Sequence, residues 1–198
     1  MIEQILAIAF PLFLLMDSIG NIPIYLSILK KCSPTRKKII IFRELLIALA
    51  IILIFCFLGN YIMNILSVQH YTVLIAGGII LFLIALQMIF PFGPSTESYS
   101  QIMAEPLVVP LAVPLVAGPA VLAAVMLYSH QAENKMVVVL GIILAWIFTT
   151  AILISSIFLQ RVLKDRGIIA LERLMGLILT LIAVQMFMHG ITLYRLSP

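Results

Sequence analysis

Six long apolar runs separated by short polar segments make up almost the whole chain, at about residues 5–29, 39–59, 72–92, 106–128, 136–160 and 168–192. Each is close to the roughly 20 residues that a helix needs to cross a hydrocarbon core. Continuous Ile, Leu and Val, rather than short alternating segments, exclude a β-barrel. The pattern predicts an all-α membrane protein with six transmembrane helices. The connections are too short to hold a second domain, so residues 1–198 read as one transmembrane domain.

Two of the runs carry residues that a plain membrane anchor would not. The centre of the first reads Asp17-Ser18-Ile19-Gly20-Asn21-Ile22-Pro23. A carboxylate at the bilayer centre costs at least about 2.5–3.5 kcal/mol. Pro23 lacks an N–H, and its ring crowds the Ile19 carbonyl, so a continuous helix is expected to be interrupted there. The fourth run holds Pro106, Pro110, Pro114 and Pro119, and its middle reads Val116-Ala117-Gly118-Pro119-Ala120. Spans one and four are therefore predicted to be broken near the midplane.

The chain also repeats itself. Gly78-Ile79-Ile80-Leu81-Phe82-Leu83-Ile84-Ala85-Leu86-Gln87-Met88 aligns with Gly176-Leu177-Ile178-Leu179-Thr180-Leu181-Ile182-Ala183-Val184-Gln185-Met186 at an offset of 98, with eight of eleven positions identical. The same offset places Gly20 on Gly118. Each half, about 1–99 and 100–198, holds three spans, so the second half enters the membrane from the opposite side. This predicts a 3+3 inverted-topology repeat, an arrangement of secondary transporters that puts the site between the halves.

Composition agrees: 64% of residues are hydrophobic and 10% charged, with a mean hydropathy of +1.24, against about 25% charged in soluble domains. The net charge of +4 reflects topology and not nucleic-acid binding. Ten of the twelve Lys and Arg fall in or beside the segments at about 30–38 and 161–167. These read as cytoplasmic loops by the positive-inside rule, with both termini outside. The N-terminus has no basic region of the signal-peptide kind, so the first span is expected to be retained. Cys32 and Cys56 lie near opposite ends of one predicted span, too far apart to pair, and read as free thiols.

With the Asp17 to Pro23 motif, the Ile75-Ala76-Gly77-Gly78-Ile79 opening of span three, and Glu105-Pro106 through Gly118-Pro119 in view, the chain resembles the MarC family of bacterial inner-membrane proteins. That family is also described as neutral amino-acid transporters. The resemblance covers essentially the whole chain. It implies a six-helix fold in the inner membrane and, for some members, transport of small neutral amino acids. The family usually has Pro where this chain has Ser18, and often Gly where it has Ala120. Both departures bear on hinge geometry and substrate size.

The candidate binding residues for a solute or ion are Asp17, Ser18, Gly20, Asn21, Pro23, Gly118, Pro119 and Ala120. Asp17 reads as a proton or substrate-ammonium site, since intramembrane ionisable residues are functional by default. Its structural alternative is a cap that accepts N–H bonds from Ile19 or Gly20. The glycines and prolines of the two breaks would expose backbone groups and half-helix ends to a substrate carboxylate. Ala76, Gly77, Gly78 and Gly176 fit close helix packing better. Gln87 and Gln185 are secondary pathway candidates, with interhelical hydrogen bonding as the plainer role. Glu44 beside Arg43 reads as a local ion pair, and Glu105 as a helix-start carboxylate. His70, His130 and His189 fall near one face without metal-ligand spacing, so no metal or other cofactor is expected. Tyr61, Tyr71, Tyr128 and Tyr194 suit an aromatic belt, and Trp146 packing.

These residues point to a secondary transporter of small neutral amino acids or similar zwitterions, with a proton as the first candidate for any coupling ion and Na⁺ as the second. The alternatives are a non-transporting membrane scaffold or regulator, and a channel for small solutes. No Walker-type loop is present to bind ATP. The core is expected to offer one carboxylate, where an intramembrane aspartyl protease needs two, so the chain is not expected to be an enzyme.

Overall fold

A computed structural model describes residues 1–29, 33–90 and 116–196. Among them are seven helices, α1 (Ile2–Leu15), α2 (Ile22–Ile28), α3 (Pro34–Leu66), α4 (His70–Ile89), α5 (Pro119–Gln131), α6 (Lys135–Ile154) and α7 (Ser156–Leu196), and no strand. Cys32, and the part of the fourth run with Glu105, Pro106, Pro110 and Pro114, lie outside the described residues.

Four segments, Thr35–Ile65, His70–Ile89, Lys135–Ile154 and Gly167–Leu196, are long and apolar enough to cross a bilayer, while α1 is a shorter apolar helix. The first apolar run is divided between α1 and α2. The outside of the bundle is as apolar as its inside: Phe10, Phe57, Leu83 and Leu181 are exposed, while Leu12, Leu45, Ile142 and Leu179 are buried. Water would not tolerate that exterior, whereas lipid tails match it.

One predicted boundary is corrected. The basic segment at about 161–167, expected as a loop, lies inside the 41-residue helix α7. The chain instead turns at Ser155, which caps α6. Arg161, Leu163, Lys164 and Arg166 are good helix formers, and the lone Gly167 costs only about 1 kcal/mol. The charges therefore ride on a helix that runs on past its apolar part. Likewise, residues 34–38 of the other basic segment form the first turns of α3.

The closest helix pair is α4 with α7. A Cβ on Gly78 would lie 2.9 Å from the Ala183 carbonyl oxygen and 3.0 Å from the Phe187 nitrogen. A Cβ on Gly176 would lie 3.0 Å from the Ala85 carbonyl oxygen, and one on Gly190 3.1 Å from that of Tyr71. As the α7 number rises the α4 number falls, so the two helices run antiparallel. Their backbones touch because glycine leaves room, the usual device where lipid removes any hydrophobic drive for association. By contrast α1 and α6 run parallel. A Cβ on Gly141 would meet Ile8 Cγ2 at 2.8 Å, and eight residues further along both helices the Thr149 hydroxyl meets Met16 Sδ at 3.5 Å. Helix α5 lies against α3 and α4. There Ser129 donates to the Cys56 carbonyl at 2.6 Å, and His70 stacks on His130 with centroids 4.2 Å apart.

Candidate functional site

The first run is interrupted where its sequence turns polar. Helix α1 ends at Leu15, residues 16–21 form consecutive turns, and α2 begins at Ile22. Asp17 adopts φ +42°, a left-handed conformation that Asp tolerates better than most residues because its short side chain can bond locally. From there its carboxylate folds forward over the turn, and Oδ1 accepts the Gly20 N–H at 3.1 Å. The Asn21 N–H returns to the Asp17 carbonyl at 3.1 Å, and Asn21 Nδ2 donates to the Met16 carbonyl at 3.2 Å. The local capping role is thus present in the structure, with Gly20 as the donor.

Gly20 is required by this geometry. A Cβ there would run into Asp17 Oδ2 and the terminal methyl of Met88. Pro23, expected to interrupt the helix at the Ile19 carbonyl, instead sits in the first turn of α2, where a missing N–H costs little. The Ile19 carbonyl is satisfied by the Ile22 N–H at 3.1 Å. The break thus precedes the proline.

The second break is seen from Val116 onward. Gly118 is the extended N-cap of α5, Pro119 is its first residue, and no side chain caps the helix among the described residues. Leu122 N–H bonds back to the Gly118 carbonyl at 3.0 Å. Gly118 is half-buried, Pro119 exposed and Ala120 buried. Ala120 and Ala123 lie against Gly77, where an added Cβ would meet them at 3.6 and 3.2 Å, with Met186 Cε at 3.3 Å.

The structure brings Asp17, Ser18, Gly20 and Asn21 together as one buried polar turn, with Pro23 half-buried beyond it. Gly118, Pro119 and Ala120 belong to a separate turn. The two breaks engage α4 at different levels, at Met88 and at Gly77, about 16 Å of helical rise apart. Gln87 and Gln185 are both exposed. Gln185 lines a cavity of about 480 Å³ whose wall includes Pro11, Leu15, Tyr128, Met186 and His189.

Two carboxylates carry more than the sequence disclosed. Glu44 is 2% exposed; its Oε1 accepts from Arg43 Nη2 at 2.9 Å, and its Oε2 meets no donor among the described residues. Glu172, half-buried on α7, lies within electrostatic reach of Asp17. The expectation of a single carboxylate in the core is therefore corrected. The signal for Glu172 is its place one turn before the repeated Gly176, next to Arg173.

A helical bundle with an apolar exterior and a buried carboxylate in an interrupted helix defines an integral membrane protein of the α-helical class. The model of the MarC family, described as MarC family integral membrane proteins, matches residues 2–194, and the chain belongs to that family. It is 49% identical over 193 residues to the UPF0056 inner membrane protein YhgN of Escherichia coli (strain K12), covering 97% of this chain and 98% of that protein. It is 47% identical over 190 residues to a UPF0056 membrane protein of Buchnera aphidicola subsp. Schizaphis graminum, covering 96% of each. A UPF0056 membrane protein of Chlamydia pneumoniae is 32% identical over 182 residues, covering 91% of this chain and 90% of that protein. No solved structure matches the chain.

Proposed function

We propose that this protein is a secondary transporter of small neutral amino acids or similar zwitterions in the bacterial inner membrane, and not an enzyme. The observation that carries the reading is Asp17, a buried carboxylate held in the break between α1 and α2 of a membrane bundle. Such a group is expensive unless it has work to do. In this reading Asp17 takes the proton or the substrate ammonium, and the start of α5 takes the carboxylate. Ala120 is buried there, and the helix has no side-chain cap among the described residues, which leaves N–H groups of its first turn without a side-chain partner.

The chain acts as one transmembrane domain with two inverted halves of three spans and both termini outside the cytoplasm. What supports this is the pairing across α4 and α7. Gly78 lies against the Ala183 carbonyl and Gly176 against the Ala85 carbonyl, and each contact maps onto the other under the 98-residue offset. A two-fold axis across antiparallel helices does exactly that to a repeat.

The test is a thermal-shift screen of detergent-purified protein against neutral amino acids, with sugars as controls, followed by flux into proteoliposomes. Binding to the folded state raises the melting temperature by mass action. The reading expects a shift with small neutral amino acids and flux that Asp17→Asn abolishes or uncouples. Wild-type flux in Asp17→Asn would end the role given to the carboxylate.

A further inference from the structure

Buried polar side chains are distributed unevenly through this bundle. Of those among the described residues, all but Ser129 lie towards the end of the bundle marked by Ile89 and Ile154. Ser129, towards the other end, is satisfied by the Cys56 carbonyl. At the first end, four buried oxygens meet no protein partner among the described residues: Ser18 Oγ, Glu44 Oε2, Thr150 Oγ1 and Ser156 Oγ. Leaving one buried polar atom unpaired costs about 1–3 kcal/mol, and more if it is charged. Such atoms in a folded protein call for an explanation, and bound water or an ion is one.

The segments that carry three of these pack against one stretch of α6. Trp146 Nε1 donates to the Leu45 carbonyl at 2.7 Å and its ring lies 6.0 Å from that of Phe42, which holds this stretch against the part of α3 that carries Glu44. One turn on, Thr149 touches Met16, which fixes the same helix beside the break that carries Ser18. Thr150 follows directly. Glu44 also lies within electrostatic reach of the Tyr25 hydroxyl on α2. Among the described residues the charged or titratable groups found around it are Arg43 and Tyr25, and Arg43 reaches only Oε1.

We propose that Glu44 Oε2, with the hydroxyls of Thr150 and Ser18, forms a binding site for a small monovalent cation, Na⁺, distinct from Asp17. Every ligand on offer is an oxygen, and only one is anionic, which suits a hard ion of low charge better than a divalent ion that demands several carboxylates. The carbonyl end of α1, which closes at Leu15 beside Ser18, adds the negative end of a helix dipole, a feature that favours Na⁺ at broken transporter helices. Arg43 neutralises one carboxylate oxygen and leaves the other for the ion. The site rests on no assumption about the transported solute.

Equilibrium binding of ²²Na⁺ to the purified full-length protein tests it, in choline-based buffer and on monodisperse samples. The wild type shows a saturable component that K⁺ does not displace at equal concentration. Glu44→Gln weakens it by at least about tenfold, equivalent to about 1.4 kcal/mol. Arg43→Gln, at a half-exposed side chain, frees Oε1 and tightens binding, and it carries the test if Glu44→Gln fails to fold. Asp17→Asn keeps the binding, whatever it does to flux. No saturable ²²Na⁺ in the wild type, undiminished binding in Glu44→Gln, unchanged or weaker binding in Arg43→Gln, or loss in Asp17→Asn would each overturn the assignment.

Discussion

Gly20 and Asp17 are built for each other: the Gly20 N–H donates to Asp17 Oδ1 at 3.1 Å, and the space where Gly20 would carry a Cβ is taken by the other carboxylate oxygen. The pair turns a liability, a charge in an apolar run, into the closure of a helix break. It leaves Oδ2 packed at the Gly20 surface beside Met88, where the carboxylate meets α4.

Gly20→Ala tests this closure. The methyl must displace Asp17 Oδ2 or the Met88 terminal methyl, and the carboxylate is tethered by its hydrogen bond. A loss of about 1–3 kcal/mol is expected for overpacking of this kind, read as a lower melting temperature in detergent. The loss should shrink when Asp17→Ala is added, since the colliding group is then gone. Equal losses with and without Asp17 would show that Met88 alone sets the limit.

The glycine seam makes a symmetric prediction. Gly78→Leu and Gly176→Leu should each force α4 and α7 apart, because the added side chain meets backbone at about 3 Å in both places. Backbone cannot step aside as a flexible side chain can. Both variants should lose folded yield, and to similar extents. Gly59→Ala should be milder, since the nearest atoms there belong to the side chain of Met126.

Trp146→Phe removes the indole donor and leaves the Leu45 carbonyl without that partner. The bond is 2.7 Å long and ties α6 to α3. Hydrogen bonds between membrane helices average about 0.6 kcal/mol and reach about 1.7, so a loss in that range is expected, measured as stability in mixed detergent. Because this bond also joins the parts of α3 and α6 that carry Glu44 and Thr150, the same variant should weaken ²²Na⁺ binding. Full ²²Na⁺ affinity in Trp146→Phe would mean that α3 and α6 hold their register without it.

Paired cysteines check the packing of α5 on α4. His70 and His130 stack with centroids 4.2 Å apart and planes inclined by 31°. His70→Cys combined with His130→Cys should form a disulfide on mild oxidation, and either change alone should not. A control pair at Gly77 and His130, at different levels of α4, should stay reduced. Failure of the first pair under oxidants that modify each single cysteine would overturn the helix pairing.

Much of this architecture is legible in the residues themselves. Apolar runs of bilayer length, the carboxylate, glycine and asparagine that interrupt the first, and Gly118-Pro119 in the fourth are local patterns, and local patterns decide where helices form and fail. The level of the break was harder to place. Pro23 looked like its cause, yet proline is tolerated in a first turn, and the chain breaks earlier at residues whose side chains can bond to their own backbone. The charges of the stretch at about 161–167 suggest a loop. Charge reports on the solvent a helix meets, and not on whether it stops, so α7 continues through it.

By itself the sequence determined that this chain lives in a membrane as a set of helices, that it repeats at half its length, and that a carboxylate, Asp17, interrupts its first apolar run. Those properties follow from hydropathy, backbone propensity and self-similarity, which need no partner to be read. Tertiary structure alone decided that Glu44 is buried with one oxygen unpartnered among the described residues, that Glu172 shares the electrostatic field of Asp17, and that Gly20 must be glycine because of Met88 from α4 as well as its own neighbour. Burial and pairing are properties of what lies opposite a residue, and the partner can be far along the chain, as Met88 is from Gly20 and Glu172 from Asp17.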